Sequence, residues 1–153
     1  MKLLPTALLF VGITAWAADP EGFHIWKAAE LKALAKTLTP KLNETQTATA
    51  PLPGAGNYSF IEVFRKATGQ AEFHETQADV FVVETGEATL VYGGQLVDGK
   101  TIAPNEIRGT SITGGMEKKI GPGDVVAIPA KTAHWVKVDA GKEIAYFVVK
   151  VTQ

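Results

Sequence analysis

Residues 121–135, GPGDVVAIPAKTAHW, carry the pattern that decides the fold. The segment begins with a turn rich in glycine and proline, continues as a short apolar run, and reaches a second turn at Pro129. His134 then begins the next run of alternating residues. A short apolar run between two turns, followed by a second run, is typical of a β-hairpin. The pattern therefore predicts a hairpin with a histidine at the start of its second strand.

An upstream segment, residues 70–90, has a matching form. It reads QAEFHETQADVFVVETGEATL and places Glu72, His74 and Asp79 around a hairpin that precedes the turn glycine Gly86. Glu72 and His74 are two residues apart in a strand, so their side chains point to the same face. Two hairpins that both direct polar side chains inward predict a small barrel with one polar site in its interior.

Short strands with frequent turns fill the chain from residue 58 onward. Regular short strands of this kind indicate a sandwich or a barrel, so we predict an all-β domain over residues 58–153. A glycine-rich insertion at residues 98–117 interrupts this rhythm. Long loops inside compact domains are often functional, and this loop is therefore a candidate part of the site.

The region before the barrel, residues 18–57, is predicted to hold one helix and a linker. Leucine and alanine recur at helical spacing over residues 25–38, with lysine and glutamate on the other faces. Pro40 ends this helix, because the residue before a proline avoids the helical region. Residues 43–57 are polar and then rich in proline and glycine, which favours an extended linker.

Residues 1–17 have the pattern of a secretory signal peptide. A short basic start at Lys2 precedes an apolar run, and Ala15-Trp16-Ala17 forms a small-x-small cleavage site. The alternative is a membrane anchor at the N-terminus, although the apolar run is short for a bilayer. We therefore expect cleavage after Ala17 and a periplasmic or secreted protein that has no membrane contact after cleavage.

Composition excludes several kinds of site. The formal net charge is -1, so no basic field favours nucleic acid. The chain has no cysteine, which excludes disulfides, thiolate metal sites and cysteine nucleophiles. A polar site in the barrel must therefore rely on histidines, carboxylates and cationic side chains.

Some strands are apolar on both faces, which bears on assembly. Val80 and Val82 lie opposite Phe81, and Ala145 and Phe147 lie on the second face of the last strand. A barrel interior uses only one of these faces. The second face needs cover from the N-terminal helix, another sheet or another subunit, and we expect a homodimer.

The first hairpin resembles the first motif of the cupin family, which reads G-x5-H-x-H-x3,4-E-x6-G. This chain has Glu72-x-His74-x4-Asp79-x6-Gly86. The spacing agrees from His74 onward, whereas Glu72 stands in place of the first histidine and Asp79 in place of the glutamate. Another register would make His74 the first histidine and Thr76 the altered second, but it requires a shorter hairpin.

The second hairpin is similar to the second cupin motif, G-x5-P-x-G-x2-H-x3-N. Gly123, Pro129 and His134 match this motif in spacing. Lys131 stands where the family has its turn glycine, and Val138 stands where it has asparagine. The order of the two motifs and their strand context also agree with the family.

This resemblance implies a small single-domain cupin, a double-stranded β-helix or jelly-roll barrel, with an N-terminal helix. In similar proteins the motif side chains hold a first-row metal ion, which here implies Glu72, His74, Asp79 and His134 as ligands. Two imidazoles and two carboxylates suit Mn, Fe(II) or Zn better than Cu(I). The alternative is an altered cupin whose interior binds an organic ligand instead of a metal ion, or binds nothing.

Two classes of function follow from the resemblance. One is a metal-dependent cupin enzyme of the dioxygenase, isomerase or lyase type, acting on a small sugar-like or acidic substrate. Its catalytic residues are unknown, with Glu72 as a candidate for proton transfer. The other is a binding module for a metal ion, a small polar ligand or both, which we favour because the two-histidine motif is altered. Arg108, in the insertion, is a candidate for contacting an anionic ligand.

Overall fold

The structure is a computed structural model that describes residues 18–153. The predicted signal peptide, residues 1–17, lies outside the described residues. In chain order the elements are α1 (Ala28–Leu38), a 3₁₀ turn (Thr39–Lys41), β1 (Thr47–Ala55), β2 (Tyr58–Arg65), β3 (Ala71–His74), β4 (Gln77–Gly86), β5 (Ala88–Tyr92), β6 (Gln95–Val97), β7 (Lys100–Ala103), β8 (Glu106–Gly109), β9 (Ser111–Thr113), β10 (Met116–Ile120), β11 (Val125–Ile128), β12 (His134–Lys137) and β13 (Ile144–Thr152).

Two antiparallel sheets form the barrel. One sheet has the strand order β1-β2-β13-β4-β11, and the other has the order β10-β5-β12-β3-β8-β7. A small ribbon of β6 and β9 lies beside them. Neighbouring strands are mostly not consecutive in the chain, so the chain crosses repeatedly between the sheets, as in a jelly roll. The all-β prediction with an N-terminal helix is confirmed.

Apolar side chains from both sheets fill the interior. On β13, Ile144, Tyr146 and Val148 point inward and are almost fully buried. They pack with Phe81 of β4 and Val136 of β12 in one continuous cluster. The period of two along each strand therefore aims one face at the core, as the sequence pattern predicts.

Helix α1 covers part of the outer face of the first sheet. Ala35 and Leu38 on the helix pack against Phe64 and Ala145 of β2 and β13. The helix begins at Ala28, three residues later than the predicted start at residue 25. Within residues 18–153, none of the helices has the length and apolar character needed to cross a membrane.

The residues before α1 extend this cover. Trp26 packs against Phe60 and Phe147 with tilted rings, at ring-centroid distances of 4.5 and 5.6 Å. The outer face around Ala145 and Phe147, which led us to expect a second subunit, is therefore covered by the chain itself. Val82 stays 36% exposed on the same face. Part of the apolar face that favours a homodimer is thus already covered, and the homodimer stays a prediction.

The expected linker at residues 43–57 is corrected by the structure. Most of it is β1, whose register with β2 runs from Thr47 opposite Arg65 to Leu52 opposite Phe60. Proline is tolerated in this strand because β1 lies at the edge of its sheet, where no further ladder is lost. The barrel therefore begins before residue 58.

The insertion at residues 98–117 is built as short strands. Within it, β8 pairs with β3, with Glu72 opposite Arg108 and His74 opposite Glu106. This pairing places two charged residues of the insertion beside the first motif.

Candidate functional site

The four side chains predicted as metal ligands meet in the barrel interior. His134 of β12 pairs in register with Glu72 of β3, and His74 ends that strand. Asp79 reaches them from β4 in the facing sheet, with its Oδ2 atom 3.3 Å from Nε2 of His74 and 3.6 Å from Nε2 of His134. Both histidines and Asp79 are only 2% exposed. The structure thus places all four predicted residues close together.

Glu72, His74 and His134 form a group of potential metal ligands. One ligand-type atom of each lies within 4.8 Å of the others. The shortest contact between Glu72 and His74 is 3.7 Å, from Oε2 to Nε2. Two metal–ligand bonds of about 2.1 Å each reach across at most about 4.2 Å, so a single ion fits between the closer atoms and must draw the more distant ones together.

Backbone contacts orient His134 toward the site. Its Nδ1 lies 3.1 Å from the carbonyl oxygen of Thr132, and since a carbonyl can only accept, Nδ1 carries the proton. Nε2 of His134 is buried and has no hydrogen-bond partner among the described residues. Burial lowers the pKa of His134, which favours the neutral ring. His134 therefore presents an unused lone pair to the site.

The turn before His134 contains a lysine in the left-handed backbone region. Lys131, in place of the family's glycine, has a φ of 62° in the left-handed region. Its backbone N–H donates to the carbonyl oxygen of His74 at 2.8 Å. This bond ties the turn to β3 and holds the two motif histidines together. Val138, in place of the family's asparagine, is buried in the core.

His74 has a similar orientation. Nδ1 lies 2.8 Å from Oε1 of Glu106 on β8, a charge contact that is not aligned as a hydrogen bond, and Nε2 points toward Asp79. Carboxylates that face the outer nitrogen of a histidine commonly fix the ring of a metal ligand. Glu106 was not among the predicted site residues, because its place beside His74 depends on the pairing of β8 with β3.

Two arginines hold Glu72. Nη2 of Arg65 lies 2.8 Å from Oε1, and Nη2 of Arg108 lies 3.2 Å from Oε2. Burial raises the pKa of Glu72, but the opposing effects led by the Arg65 charge are larger together and lower it below its usual range. Glu72 is therefore an ionised acceptor with little basicity, which speaks against a role in proton transfer.

Both guanidinium groups are already engaged. Arg65 also donates from Nε to the hydroxyl of Tyr146 at 2.8 Å, and a Cβ on Gly69 would collide with its guanidinium. Arg108, the predicted contact for an anionic ligand, also lies 2.9 Å from Glu106 through Nη1. In the described chain these arginines neutralise carboxylates of the site.

Lys150 occupies the centre of the site. It lies opposite Asp79 in the pairing of β13 with β4. Its Nζ donates to the Asp79 carboxylate at 2.9 and 3.1 Å and lies 3.1 Å from Nε2 of His74. Burial raises the pKa of Asp79, but His74 and Lys150 together lower it below its usual range. Sequence reasoning missed Lys150, although its spacing from Tyr146 and Val148 places it on the inward face.

The charges of the site balance. Its three carboxylates face three cationic side chains, and the formal charges cancel when both imidazoles are neutral: Glu72, Asp79, Glu106, Arg65, Arg108 and Lys150. Balanced charge is what buried ionic groups require, because an unpaired buried charge is strongly unfavourable.

A cavity of about 250 Å³ leads to this cluster. Thr45, Thr47 and Thr49 line its polar wall, and Arg65 and Lys150 line its inner end. The segment expected to be a linker therefore forms part of the cavity. The volume corresponds to several water molecules, at about 30 Å³ each, and suits a small polar ligand.

The side chains present fit a divalent first-row ion. Two neutral imidazole nitrogens and one or two carboxylates are a common donor set for Mn, Fe(II) and Zn. The unpartnered Nε2 of His134 supports this fit directly. The ammonium of Lys150 is the feature that opposes it.

Comparison with known proteins shows the fold. No protein-family model and no curated protein matches the sequence. Among solved structures, the chain is similar to oxalate oxidase in complex with glycolate, with a TM-score of 0.52, 17% identity and coverage of 72% of this chain and 53% of that chain. Polyketide cyclase RemF from Streptomyces resistomycificus gives 0.50 and 19%, with coverage of 71% and 66%.

A third solved structure is matched over most of its own length. The protein TT1209 from Thermus thermophilus has a TM-score of 0.54 and 15% identity, with coverage of 76% of this chain and 93% of that chain. The chain spans about half of oxalate oxidase and about two thirds of RemF. At these identities the likeness shows a cupin fold, and the different activities named for the matched proteins do not transfer with it.

Proposed function

We propose that this chain is a member of the cupin superfamily that binds a divalent metal ion, Mn, Fe(II) or Zn, inside its barrel. Nε2 of His74 and Nε2 of His134 are the nitrogen ligands, and carboxylate oxygens of Glu72 and Asp79 complete the set. The adjacent cavity takes a small polar ligand. A bound divalent ion would polarise a carbonyl or hydroxyl oxygen of such a ligand.

The unpartnered Nε2 of His134 is the observation that carries this proposal. A buried polar atom without a partner is costly, so it usually indicates a partner that protein atoms do not supply. Here the opposite nitrogen is fixed by a backbone carbonyl, which aims the free lone pair at His74 and Asp79. This is the arrangement of a metal-ligating histidine.

Metal analysis of the purified chain tests the proposal. We expect close to one equivalent of a transition metal after growth in metal-replete medium, and loss of most of it in His134→Ala. His24→Ala is the matched control, because His24 is exposed and stacks on Trp26 away from the site. The same metal content in the parent and in His134→Ala would contradict the proposal.

A second candidate function is binding of a small acidic ligand without a metal ion. The observation that favours it is Lys150, whose ammonium already fills the site and lines the cavity. A parent protein that carries no metal but retains an organic acid, detected by mass spectrometry of the denatured sample, would favour this second function.

We also propose export, with the leader removed after Ala17. The support is the leader pattern of residues 1–17 alone. The intact mass of exported material should correspond to a chain that begins at Ala18. Exported material that retains Met1 would contradict cleavage.

A further inference from the structure

We infer that the ammonium group of Lys150 and a divalent metal ion compete for the same position, and that Lys150 thereby sets how tightly the site binds metal. This inference rests on the proposed metal site. It adds a residue outside the two motifs that determines metal affinity.

The contacts of Lys150 are those that a metal ion would need. Its Nζ lies 2.9 and 3.1 Å from the two carboxylate oxygens of Asp79 and 3.1 Å from Nε2 of His74. An ammonium group can only donate, so the lone pair of His74 is directed at Lys150. Lys150 is therefore the cationic partner of two of the four proposed ligands, and the two arginines are the partners of a third, Glu72.

Simultaneous occupancy is opposed by charge. A dication that binds His74 and Asp79 would stand within a few ångströms of the ammonium group, in surroundings that screen charge less than water does. Arg65 and Arg108 already neutralise Glu72, so no unpaired carboxylate of the site offsets the added charge. Metal binding therefore requires Lys150 to leave Asp79.

The side chain of Lys150 has space in which it can move away from Asp79. Its side chain is 15% exposed, compared with 3% for Asp79, and it lines the cavity. The long lysine side chain can turn toward this space while Asp79 stays in the barrel. Breaking the buried ion pair between Lys150 and Asp79 costs free energy. That cost opposes metal binding and lowers the metal affinity of the parent protein.

The test is the affinity for Mn²⁺ and Zn²⁺, measured by calorimetry on protein stripped with a chelator. Lys150→Met removes the ammonium and keeps the length of the side chain, and Lys150→Gln keeps a neutral donor. We expect both variants to bind at least about tenfold more tightly than the parent. Lys142→Met is the matched control, because Lys142 is exposed and pairs with Glu87 on the surface.

A second measurement, thermal unfolding with and without metal, applies if the Lys150 variants are less stable than the parent. In Lys150→Met, buried Asp79 has lost its ammonium partner, which destabilises the folded protein. Metal should restore stability because it binds only the folded chain. We expect the rise in Tm on adding Zn²⁺ to be larger in Lys150→Met and Lys150→Gln than in the parent.

The outcomes separate this inference from the proposed function. A parent that binds metal, together with Lys150 variants of unchanged affinity and unchanged metal-dependent Tm shift, would overturn the competition and leave the metal site intact. Absence of metal binding in the parent and in both variants would overturn the metal site, and the competition with it. A parent without measurable binding, together with variants that bind, would contradict metal binding by the parent while supporting the competition.

Discussion

Lys150 shows how much of this site depends on residues outside the recognisable motifs. The histidines and carboxylates at 72, 74, 79 and 134 could be identified from spacing, because strand alternation and the hairpin pattern are local properties. Spacing places Lys150 on the inward face, but its role could not be predicted, because that role depends on β13 lying beside β4. The same holds for Glu106, which meets His74 only through the pairing of β8 with β3.

A second buried group lies outside the site. Glu62 on β2 is 0% exposed, and neither of its carboxylate oxygens has a hydrogen-bond partner among the described residues. Burial, followed by the charge of Glu84, raises the pKa of Glu62 to about 8. Burial also raises the pKa of Glu84, although its contact with Glu62 and then the charge of Lys32 on α1 oppose the shift. Glu62 is therefore protonated in the folded chain at neutral pH.

Glu62 should make the protein less stable as pH rises. The unfolded chain releases the proton near its usual pKa of 4.5, whereas the folded chain keeps it until about 8. Between these values the folded state holds more protons, so the free energy of unfolding falls by up to about 1.4 kcal/mol per pH unit. In Glu62→Gln this decrease should be much smaller when urea unfolding is measured from pH 5 to pH 8.

The exposed residue Glu87 supplies the control for this measurement. Glu87→Gln should keep the parental dependence of unfolding free energy on pH. If Glu62→Gln keeps that dependence as well, Glu62 does not retain its proton in the folded state.

At the scale of elements, the strands of the two motifs could be predicted and β1 could not. The proline and glycine of residues 51–56 are strong signals for a loop. An edge strand tolerates them because one side of its backbone needs no ladder. The position of a strand at the edge depends on the order of all strands in the sheet, so the local sequence pattern of β1 does not predict it.

Helix α1 should contribute measurably to stability through its inward face. Leu38 is fully buried against the outer face of the first sheet, whereas Leu34 is only partly buried. Leu38→Ala should lower the free energy of unfolding by about 2–5 kcal/mol, since it leaves a cavity at a packed contact. Leu34→Ala, the same change on the same helix, should cost clearly less by urea unfolding. Equal losses would mean that α1 does not dock as described.

At the scale of the whole molecule, the oligomeric state depends on what covers the outer apolar face of the first sheet. The N-terminal segment covers Phe147, while Val82 and Val125, which face each other in register, stay 36% and 66% exposed. We propose that a second copy covers this remainder and that the protein is a homodimer. Light scattering of the mature chain at micromolar concentration should give twice the monomer mass. A monomer would mean that the N-terminal segment suffices.

The central claim is that one position in the barrel can hold a metal ion between His74 and His134. A crystal structure of the Zn²⁺-loaded protein, with anomalous data collected at the zinc edge, tests it most directly. The account predicts one anomalous peak about 2.0–2.1 Å from Nε2 of both histidines, with Lys150 withdrawn from Asp79. A barrel without a peak at saturating Zn²⁺, with Lys150 still bound to Asp79, would contradict it.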